Sequence, residues 1–208
     1  MKKKKYYWDV FYKNKKITSK ETSFARFVLP KLKKKNCLVY DLGCGNGRDT
    51  IFFNKNKIDC IGIDKSYQAI LNNKKKNKKF QKKYINANFC SYFKKKIIKK
   101  NFIIYCRFTW HSINYLNEKK LIKSIRSQKN LKYIYIEVRT IRDRIYGEGK
   151  NIGKHEFITS HYRRFVDPRD IKKKLSSFSK IIYFKESINL AKFKKENPCV
   201  LRLIAKKK

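Results

Sequence analysis

Acidic residues are few in this chain of 208 residues: 15 Asp and Glu stand against 56 Lys and Arg, which gives a formal net charge of +41. Long apolar runs are also lacking, and none approaches the roughly 18 residues needed to span a membrane. The opening residues MKKKKYYWDVFYK contain neither an apolar segment nor a small-residue cleavage site, so no secretion signal is predicted. We therefore expect a cytoplasmic protein without a transmembrane segment.

Metal-binding cysteine motifs are missing as well. None of the six cysteines forms a CxxC motif, and no set of cysteines and histidines has the spacing of a zinc site. Most of the cysteines lie within apolar runs, which favours reduced, buried thiols. No metal site is predicted.

Apolar residues are numerous enough to form a core. Hydrophobic residues make up 41% of the chain and aromatic residues 15%, which argues against disorder despite the high charge. A chain of this length is typical of one domain, and we predict a single domain over residues 1–208.

The excess of basic residues suggests a nucleic-acid partner, but their distribution disfavours that interpretation. Most are lysines spread along the whole chain among many Ile and Asn residues, a mixture that an AT-rich coding bias produces. A surface that reads phosphates would concentrate arginine, which makes bidentate contacts. Arginine is scarce, and its main concentration lies between residues 139 and 164.

Strand-like and helix-like segments alternate along the chain. Seven strands are predicted, at residues 37–42, 59–64, 84–90, 101–108, 133–139, 180–190 and 198–207. Helices are predicted at residues 6–30, with a break at 17–23, and at residues 66–80, 117–128 and 166–178. A further helix is predicted directly after the glycines that follow the first strand. Asn117 is a candidate N-cap, and so is Asp167, which precedes Pro168.

This alternation is typical of an α/β fold with a doubly wound, mostly parallel sheet of seven strands and helices on both faces. The last two strands have little chain between them, so we expect them to pair antiparallel, with the final strand antiparallel to the rest.

A glycine-rich turn follows the first strand in the stretch VYDLGCGNGRD. Gly43, Gly45 and Gly47 recur at every second position after Asp41. Glycines let the backbone approach a ligand closely, and a strand–turn–helix unit directs N–H groups at it. Asp64 ends the second strand and can hold both hydroxyls of a ribose. The turn therefore predicts a nucleotide-like cofactor, although the DxGxGxG spacing departs from the GxGxxG pattern of dehydrogenases.

Together these stretches resemble the class I S-adenosylmethionine-dependent methyltransferases over almost the full length of the chain. VYDLGCGNGRD is similar to the first motif of that family and CIGID to its second. NANFC falls where an acid usually faces the adenine amine, and here Asn88 takes that place. Phe89 beside it could lie against the adenine ring, and packing in the core is the alternative. The resemblance implies S-adenosylmethionine as cofactor. The predicted cofactor-binding residues are Asp41, Gly43, Cys44, Gly45, Gly47, Asp64, Asn88, Phe89 and Tyr105.

A narrower resemblance involves WDVFYK with SFARF, YCRFTWHSI, EVRTIRDRIYGEGK, EFITSHYRRF and INLAKFKKENPCVLRLIAKK. These stretches are similar to a small bacterial subfamily linked to the modification of cell-surface polysaccharide or phosphoryl-type building blocks. The resemblance implies a small anionic acceptor.

The segment YCRFTWH follows the fourth strand, where ligands of doubly wound sheets bind. His111 is a candidate general base, and Arg107 is a further catalytic candidate. A hydrogen-bonding histidine of the core or rim is the alternative for His111. The Asn/Asp-Pro-Pro-aromatic motif of amino-group DNA methylases is absent here, and the Pro-Cys of cytosine methylases does not follow this strand. Both absences disfavour methylation of nucleic acid.

Residues 140–165 are predicted to form a long loop that binds substrate, because loops of this length in compact domains are usually functional or disordered. Four arginines could clamp an anion through their fork geometry, namely Arg139, Arg142, Arg163 and Arg164. His161 and Tyr162 are further catalytic candidates. A solvated basic loop with Arg–Asp pairing, for instance to Asp143, is the alternative.

The N-terminal residues 1–30 are predicted to form a helical cover over the ligand end of the sheet. Trp8, Tyr12 and Phe24 are candidates for closing the pocket and excluding water. Aromatic residues at helical spacing usually lie in a core, which is the alternative for each of them.

The function predicted from these features is O-methylation of a small anionic acceptor, such as a phosphorylated or phosphoramidate-like group or an acidic sugar. Two alternatives stay open. One is a methyltransferase of RNA or DNA, with a basic face continuous with the pocket. The other is an inactive methyltransferase fold that serves as a basic binding module.

Overall fold

The computed structural model describes residues 2–14, 17–94, 96–193 and 195–208, with side chains from Tyr7 onward. Its main sheet has seven strands in the order β3-β2-β1-β4-β5-β10-β9. These are β1 (Leu38–Leu42), β2 (Cys60–Asp64), β3 (Tyr84–Asn86), β4 (Phe102–Arg107), β5 (Leu131–Arg139), β9 (Ser179–Ser187) and β10 (Val200–Lys207).

The pairing directions confirm the predicted architecture. Strands β1 to β5 pair with one another only in parallel, whereas β10 lies antiparallel to both of its neighbours, β5 and β9. The expected antiparallel pairing of the last two strands is therefore confirmed, and the strand that runs against the rest of the sheet is the final one.

Within the described ranges, six α-helices accompany the strands: α1 (Lys2–Asn14), α2 (Ser23–Lys33), α3 (Arg48–Lys55), α4 (Tyr67–Lys76), α5 (Tyr115–Arg126) and α6 (Pro168–Ser176). Short 3₁₀ segments occupy Lys78–Lys83 and Trp110–Ser112. None of the helices in the described part of the chain combines the length and apolar character needed to cross a bilayer.

Both faces of the main sheet are covered, as alternating side chains along the strands show. Ile104 of β4 packs in a cluster with residues of α5 and α6, such as Leu121 and Leu175. Its neighbour Ile103 belongs to a second cluster, built with Phe24 and Val28 of α2. The predicted arrangement of helices on both faces is confirmed.

The helix caps agree with the sequence at one position and differ at another. Asp167 caps α6 as predicted, with its carboxylate accepting the N–H of Arg169 at 2.8 Å. The prediction of Asn117 as the cap of α5 is wrong, because the helix begins earlier. Asn114 is the cap, and its side chain accepts the N–H of Asn117 at 3.1 Å.

The prediction of one continuous loop at residues 140–165 is wrong in the second half of the segment. It contains an antiparallel three-stranded sheet, β6 (Lys150–Gly153), β7 (Glu156–Ile158) and β8 (Tyr162–Arg164). Tyr146, Phe157 and Phe165 form its aromatic core, with ring centroids 5.3 to 5.9 Å apart. Strands of three or four residues are too short to show clear alternation in a sequence.

Candidate functional site

A cavity of about 420 Å³ opens at the carboxyl ends of β1, β2 and β4, the usual position of ligand sites in doubly wound sheets. Its walls come from α1, the glycine turn after β1, the segments that follow β2, β3 and β4, the end of β5, the region of the small sheet β6–β8, and the connection between β9 and β10. Of the predicted cofactor-binding residues, the cavity is lined by Asp41, Gly43, Cys44, Gly45, Asp64, Asn88 and Phe89.

The glycine turn depends on backbone angles that other residues rarely adopt. Gly45 and Gly47 have φ angles of +53° and +70°. A Cβ atom on Gly45 would lie 2.3 Å from the hydroxyl of Tyr12, and one on Gly47 would lie 2.7 Å from the ring of Tyr84. Gly47 does not line the cavity, and the structure gives it a role in shaping the turn.

Asp64 is held in place by the backbone on either side of it. One carboxylate oxygen accepts the N–H of Gly45 at 2.8 Å, and the other accepts the N–H of Ser66 at 2.8 Å. Each oxygen can accept further hydrogen bonds, and the residue lines the cavity. This arrangement suits a ligand that presents neighbouring hydroxyl groups.

Asp41 lies deeper and has a different environment. It is buried and accepts a hydrogen bond from the hydroxyl of Thr50 at 2.6 Å. Burial, together with the nearby charge of Asp49, raises its pKa to about 8. The carboxyl group of Asp41 is therefore mainly protonated at neutral pH.

Tyr105, predicted to contact the cofactor, lies below the cavity floor instead. Its hydroxyl donates to Asp49 at 2.7 Å and its ring stacks on Phe24 at 5.1 Å. Phe24, predicted to close the pocket, is fully buried in that same cluster. Neither residue therefore belongs to the cavity wall.

Two arginines in the cavity are tied to buried carboxylates. Arg107 donates to Glu137 at 3.1 Å, and the other oxygen of Glu137 accepts from Arg202 at 2.7 Å. Arg139 contacts both oxygens of Asp143 at 3.1 Å and, through its second nitrogen, Glu196 at 2.7 Å. Both predicted residues therefore line the cavity in fixed orientations.

His111 lines the cavity and its Nδ1 atom is buried without a hydrogen-bond partner in the described part of the chain. Burial lowers its pKa well below the usual range, and the positive charges of Arg139 and Arg163 lower it further. The imidazole is therefore neutral at pH 7, with an unsatisfied ring nitrogen at the cavity.

His161 joins the small sheet to the N-terminal helix. Its ring stacks on Tyr7 at 5.0 Å and meets Trp8 edge-on at 5.4 Å. Trp8 and Tyr12 both line the cavity, as expected of a cover. Helix α1 is fastened on its other side, where Asp9 accepts from the hydroxyl of Ser66 at 2.7 Å.

Tyr162, Arg164 and Arg142 lie outside the cavity, in contrast to their predicted roles. Successive residues of a strand point to opposite sides, so Arg163 of β8 lines the cavity and its two neighbours do not. Tyr162 donates to Glu156 at 2.7 Å and Arg164 to Glu118 at 2.9 Å. Arg142 is exposed and pairs with Glu186 at 3.4 Å. These three residues are therefore not part of the site.

Several residues that the sequence did not single out also line the cavity. Arg48 follows the last glycine of the turn directly and was recognisable by that position. Glu196 reaches the cavity from the connection between β9 and β10, and nothing in its local sequence indicates this. Among the described residues, no group of His, Cys, Asp and Glu side chains could hold a metal ion.

Comparisons with known proteins agree with this architecture. A family model described as a methyltransferase domain matches residues 33–93, the part that contains the glycine turn, Asp64 and Asn88. No curated protein sequence is detectably similar to the chain.

Solved structures share the fold at low sequence identity. The glycopeptide N-methyltransferase MtfA with S-adenosyl-L-homocysteine has a TM-score of 0.67 and 12% identity, covering 91% of this chain and 90% of that one. A SAM-dependent methyltransferase from Methanosarcina mazei has a TM-score of 0.70 and 15% identity, covering 86% and 96%. Magnesium protoporphyrin IX methyltransferase from Synechocystis, with bound SAM, has a TM-score of 0.63 and 13% identity, covering 89% and 77%. At such identities the likeness shows the fold alone, which is Rossmann-like.

Proposed function

We propose that this chain is an S-adenosylmethionine-dependent methyltransferase that methylates an oxygen of a small anionic acceptor. One observation carries the proposal: a single cavity joins the glycine turn and Asp64 at one end to an arginine-rich wall at the other. The family model over residues 33–93 supports the methyltransferase part of the proposal.

The residues at the glycine turn fit the cofactor. Asp64 would hold the ribose hydroxyls, since both of its oxygens are oriented by backbone N–H groups and the residue lines the cavity. Asn88 and Phe89 would contact the adenine. The cofactor supplies an electrophilic methyl group on a sulfonium, so the protein has mainly to align an acceptor with it.

The acceptor would bind at the arginine-rich wall. Burial first, and then the neighbouring charge of Arg139, lower the pKa of Arg163, so an anion bound beside Arg163 would stabilise its charge. An anionic group between these arginines would relieve the repulsion and form charge-assisted hydrogen bonds. The narrower subfamily resemblance supports a phosphorylated, phosphoramidate-like or acidic sugar acceptor.

His111 would serve the acceptor in one of two ways that depend on the acceptor's own pKa. A neutral imidazole with an unsatisfied nitrogen can take a proton from a hydroxyl group as it is methylated. An oxygen that is already ionised needs no base, and His111 and His161 would then orient it. The cover formed by Trp8 and Tyr12 would exclude water. The cytoplasmic location stays a prediction.

Calorimetric titration with S-adenosylhomocysteine tests the cofactor site. We expect micromolar binding by the wild type and at least roughly a 100-fold loss in Asp64→Ala, because the variant removes both ribose acceptors. Asp59→Ala is the matched control: Asp59 precedes the same strand, β2, and its side chain is half exposed beside Lys83. Binding that persists in Asp64→Ala would contradict the proposed site.

The acceptor class is tested by methyl transfer from labelled cofactor to a panel of phosphorylated and acidic sugars, with RNA as the competing substrate. Transfer to a small anion supports the proposal. Salt-sensitive binding of RNA by a wild type that does not bind S-adenosylhomocysteine would replace it with the binding-module alternative.

A further inference from the structure

Arg48 is a charged residue in the cavity wall that has no counter-ion among the described residues. It is the first residue of α3, directly after Gly47, and it lines the cavity half-buried. Within the described residues, its guanidinium has neither a hydrogen bond nor an ion pair. Burial and the neighbouring charge of Arg107 lower its pKa, so the environment disfavours the charge that it carries.

The carboxylates near Arg48 are already engaged. Asp49 accepts from the backbone N–H of Thr22 at 2.8 Å, and from the hydroxyls of Thr22 and Tyr105 at 2.7 Å each. Asp41 is mainly protonated at neutral pH, as described above. A half-buried charge without a partner is less favourable than a paired one, and an anionic ligand in the cavity would provide the partner.

Arg48 and Arg163 lie in different electrostatic surroundings within the one cavity. The charged and polar groups that act on Arg48 belong to the glycine-turn end, namely Arg107, Asp49, Tyr105 and Tyr12. Those that act on Arg163 belong to the small sheet and its neighbours, namely Arg139, Glu196, Tyr7 and Asp143. Arg48 begins α3 directly after the glycine turn and Arg163 belongs to β8, so the two guanidinium groups reach the cavity from different elements.

Arg48 and Asp64 both adjoin the glycine turn. Asp64 accepts the N–H of Gly45 within the turn, and Arg48 directly follows its last residue, Gly47. A ligand with a ribose diol in one part and a carboxylate in another would satisfy both side chains. The cofactor of the proposed function has these two groups.

We propose that Arg48 binds the carboxylate at the amino-acid end of the cofactor and that Arg163 serves only the acceptor. This inference rests on the proposed function. Its test compares two ligands that differ in one part: S-adenosylhomocysteine, and 5′-methylthioadenosine, which lacks the amino-acid carboxylate and amine.

Both ligands are titrated calorimetrically into the wild type, Arg48→Met, Arg48→Lys and Arg163→Met. In Arg48→Met we expect the affinity for S-adenosylhomocysteine to fall about 10- to 100-fold, the range for a lost hydrogen bond to a charged group, and that for 5′-methylthioadenosine to stay unchanged. Arg48→Lys keeps the charge and is expected to recover part of the loss. Arg163→Met is the matched control within the cavity and is expected to alter neither affinity.

The thermal unfolding of the ligand-free variants separates this role from a structural one. Because Arg48 has no carboxylate partner among the described residues, Arg48→Met is expected to unfold at the wild-type temperature or above it. An unchanged affinity ratio in Arg48→Met, or an equal loss of both ligands, would overturn the inference and leave the cofactor proposal standing. A wild type that binds neither ligand would overturn both.

Discussion

The two ends of the cavity are built in different ways. We define the inner end as the glycine turn, residues 41–47, together with Asp64. Its hydrogen bonds join the Asp64 carboxylate to backbone N–H groups that lie close by in the fold. The outer end is defined as Arg139, Arg163 and Glu196 with the histidines beside them, and these come from β5, β8 and the connection before β10. The inner end is shaped by local backbone geometry, whereas the outer end depends on distant parts of the chain meeting.

This difference has a consequence for charge. At the inner end Asp64 accepts N–H groups and Asp41 is mainly neutral. At the outer end Arg139 and Arg163 oppose each other's charge, and both lower the pKa of His111. Substitutions at the inner end should therefore act mainly through shape, and those at the outer end through charge.

The largest effect on stability is expected from Gly47→Ala. The new Cβ atom would lie 2.7 Å from the ring of Tyr84 and 2.9 Å from the amide of Asn73, at a φ of +70°. We expect the free energy of unfolding to fall by roughly 2–4 kcal/mol, from backbone strain and overpacking together. Urea denaturation measures the change.

Gly147→Ala is the matched control in the region of the small sheet. Gly147 has a φ of +90°, yet no atom lies within 4 Å of the place that its Cβ would take. The loss there should be only about 1 kcal/mol, from backbone strain alone. Equal losses in the two variants would contradict the view that close packing shapes the inner turn.

The same contrast explains how much could be predicted from the sequence. The strand before the turn, the turn itself and Asp64 form contiguous motifs, so the seven-stranded sheet and the residues of the inner end could be recognised. The position of Arg48 after the last glycine is visible in the sequence, but its lack of a carboxylate partner among the described residues is visible only in the structure.

The outer end was predicted less well because its side chains are selected by geometry. The sequence predicts four arginines at the substrate. Because side chains alternate along β8, Arg163 faces the cavity and Arg164 points away from it towards Glu118. Arg142 instead pairs with Glu186. Glu196 was not predicted at all, since its contact with Arg139 spans 57 residues of sequence.

A pH-dependent effect is expected at the outer end from His111. Burial and nearby cations lower its pKa in the folded state, so below about pH 6.5 the unfolded chain binds a proton that the folded chain does not. Stability is therefore retained above that pH and lost as the pH falls. The loss by pH 5 is at most about 2 kcal/mol, since one pH unit corresponds to about 1.4 kcal/mol per proton.

Urea denaturation at pH 5 and pH 7 checks this expectation in the wild type and in His111→Gln, which should lose that part of the pH dependence. His155→Gln is the control, since His155 lies in the small sheet region beside Tyr146 and outside the cavity. A wild type and a His111→Gln variant with the same pH dependence would contradict the charge-based account of the outer end.

The smallest effect is expected from Glu196→Gln. The Glu196 carboxylate contacts Arg139 at 2.7 Å although its own side chain is 66% exposed, so it occupies a guanidinium donor that an anionic acceptor would use. An exposed ion pair of this kind contributes well under about 1 kcal/mol. Removing its charge should therefore raise the affinity for inorganic phosphate by only about two- to five-fold, followed through the fluorescence of Trp8 in the cavity wall.

Glu186→Gln, which removes the carboxylate partner of Arg142 outside the cavity, should leave phosphate affinity unchanged. If phosphate bound to Glu196→Gln no more tightly than to the wild type, the Glu196 carboxylate would not be competing with an anion for Arg139, and that account of the outer end would be wrong.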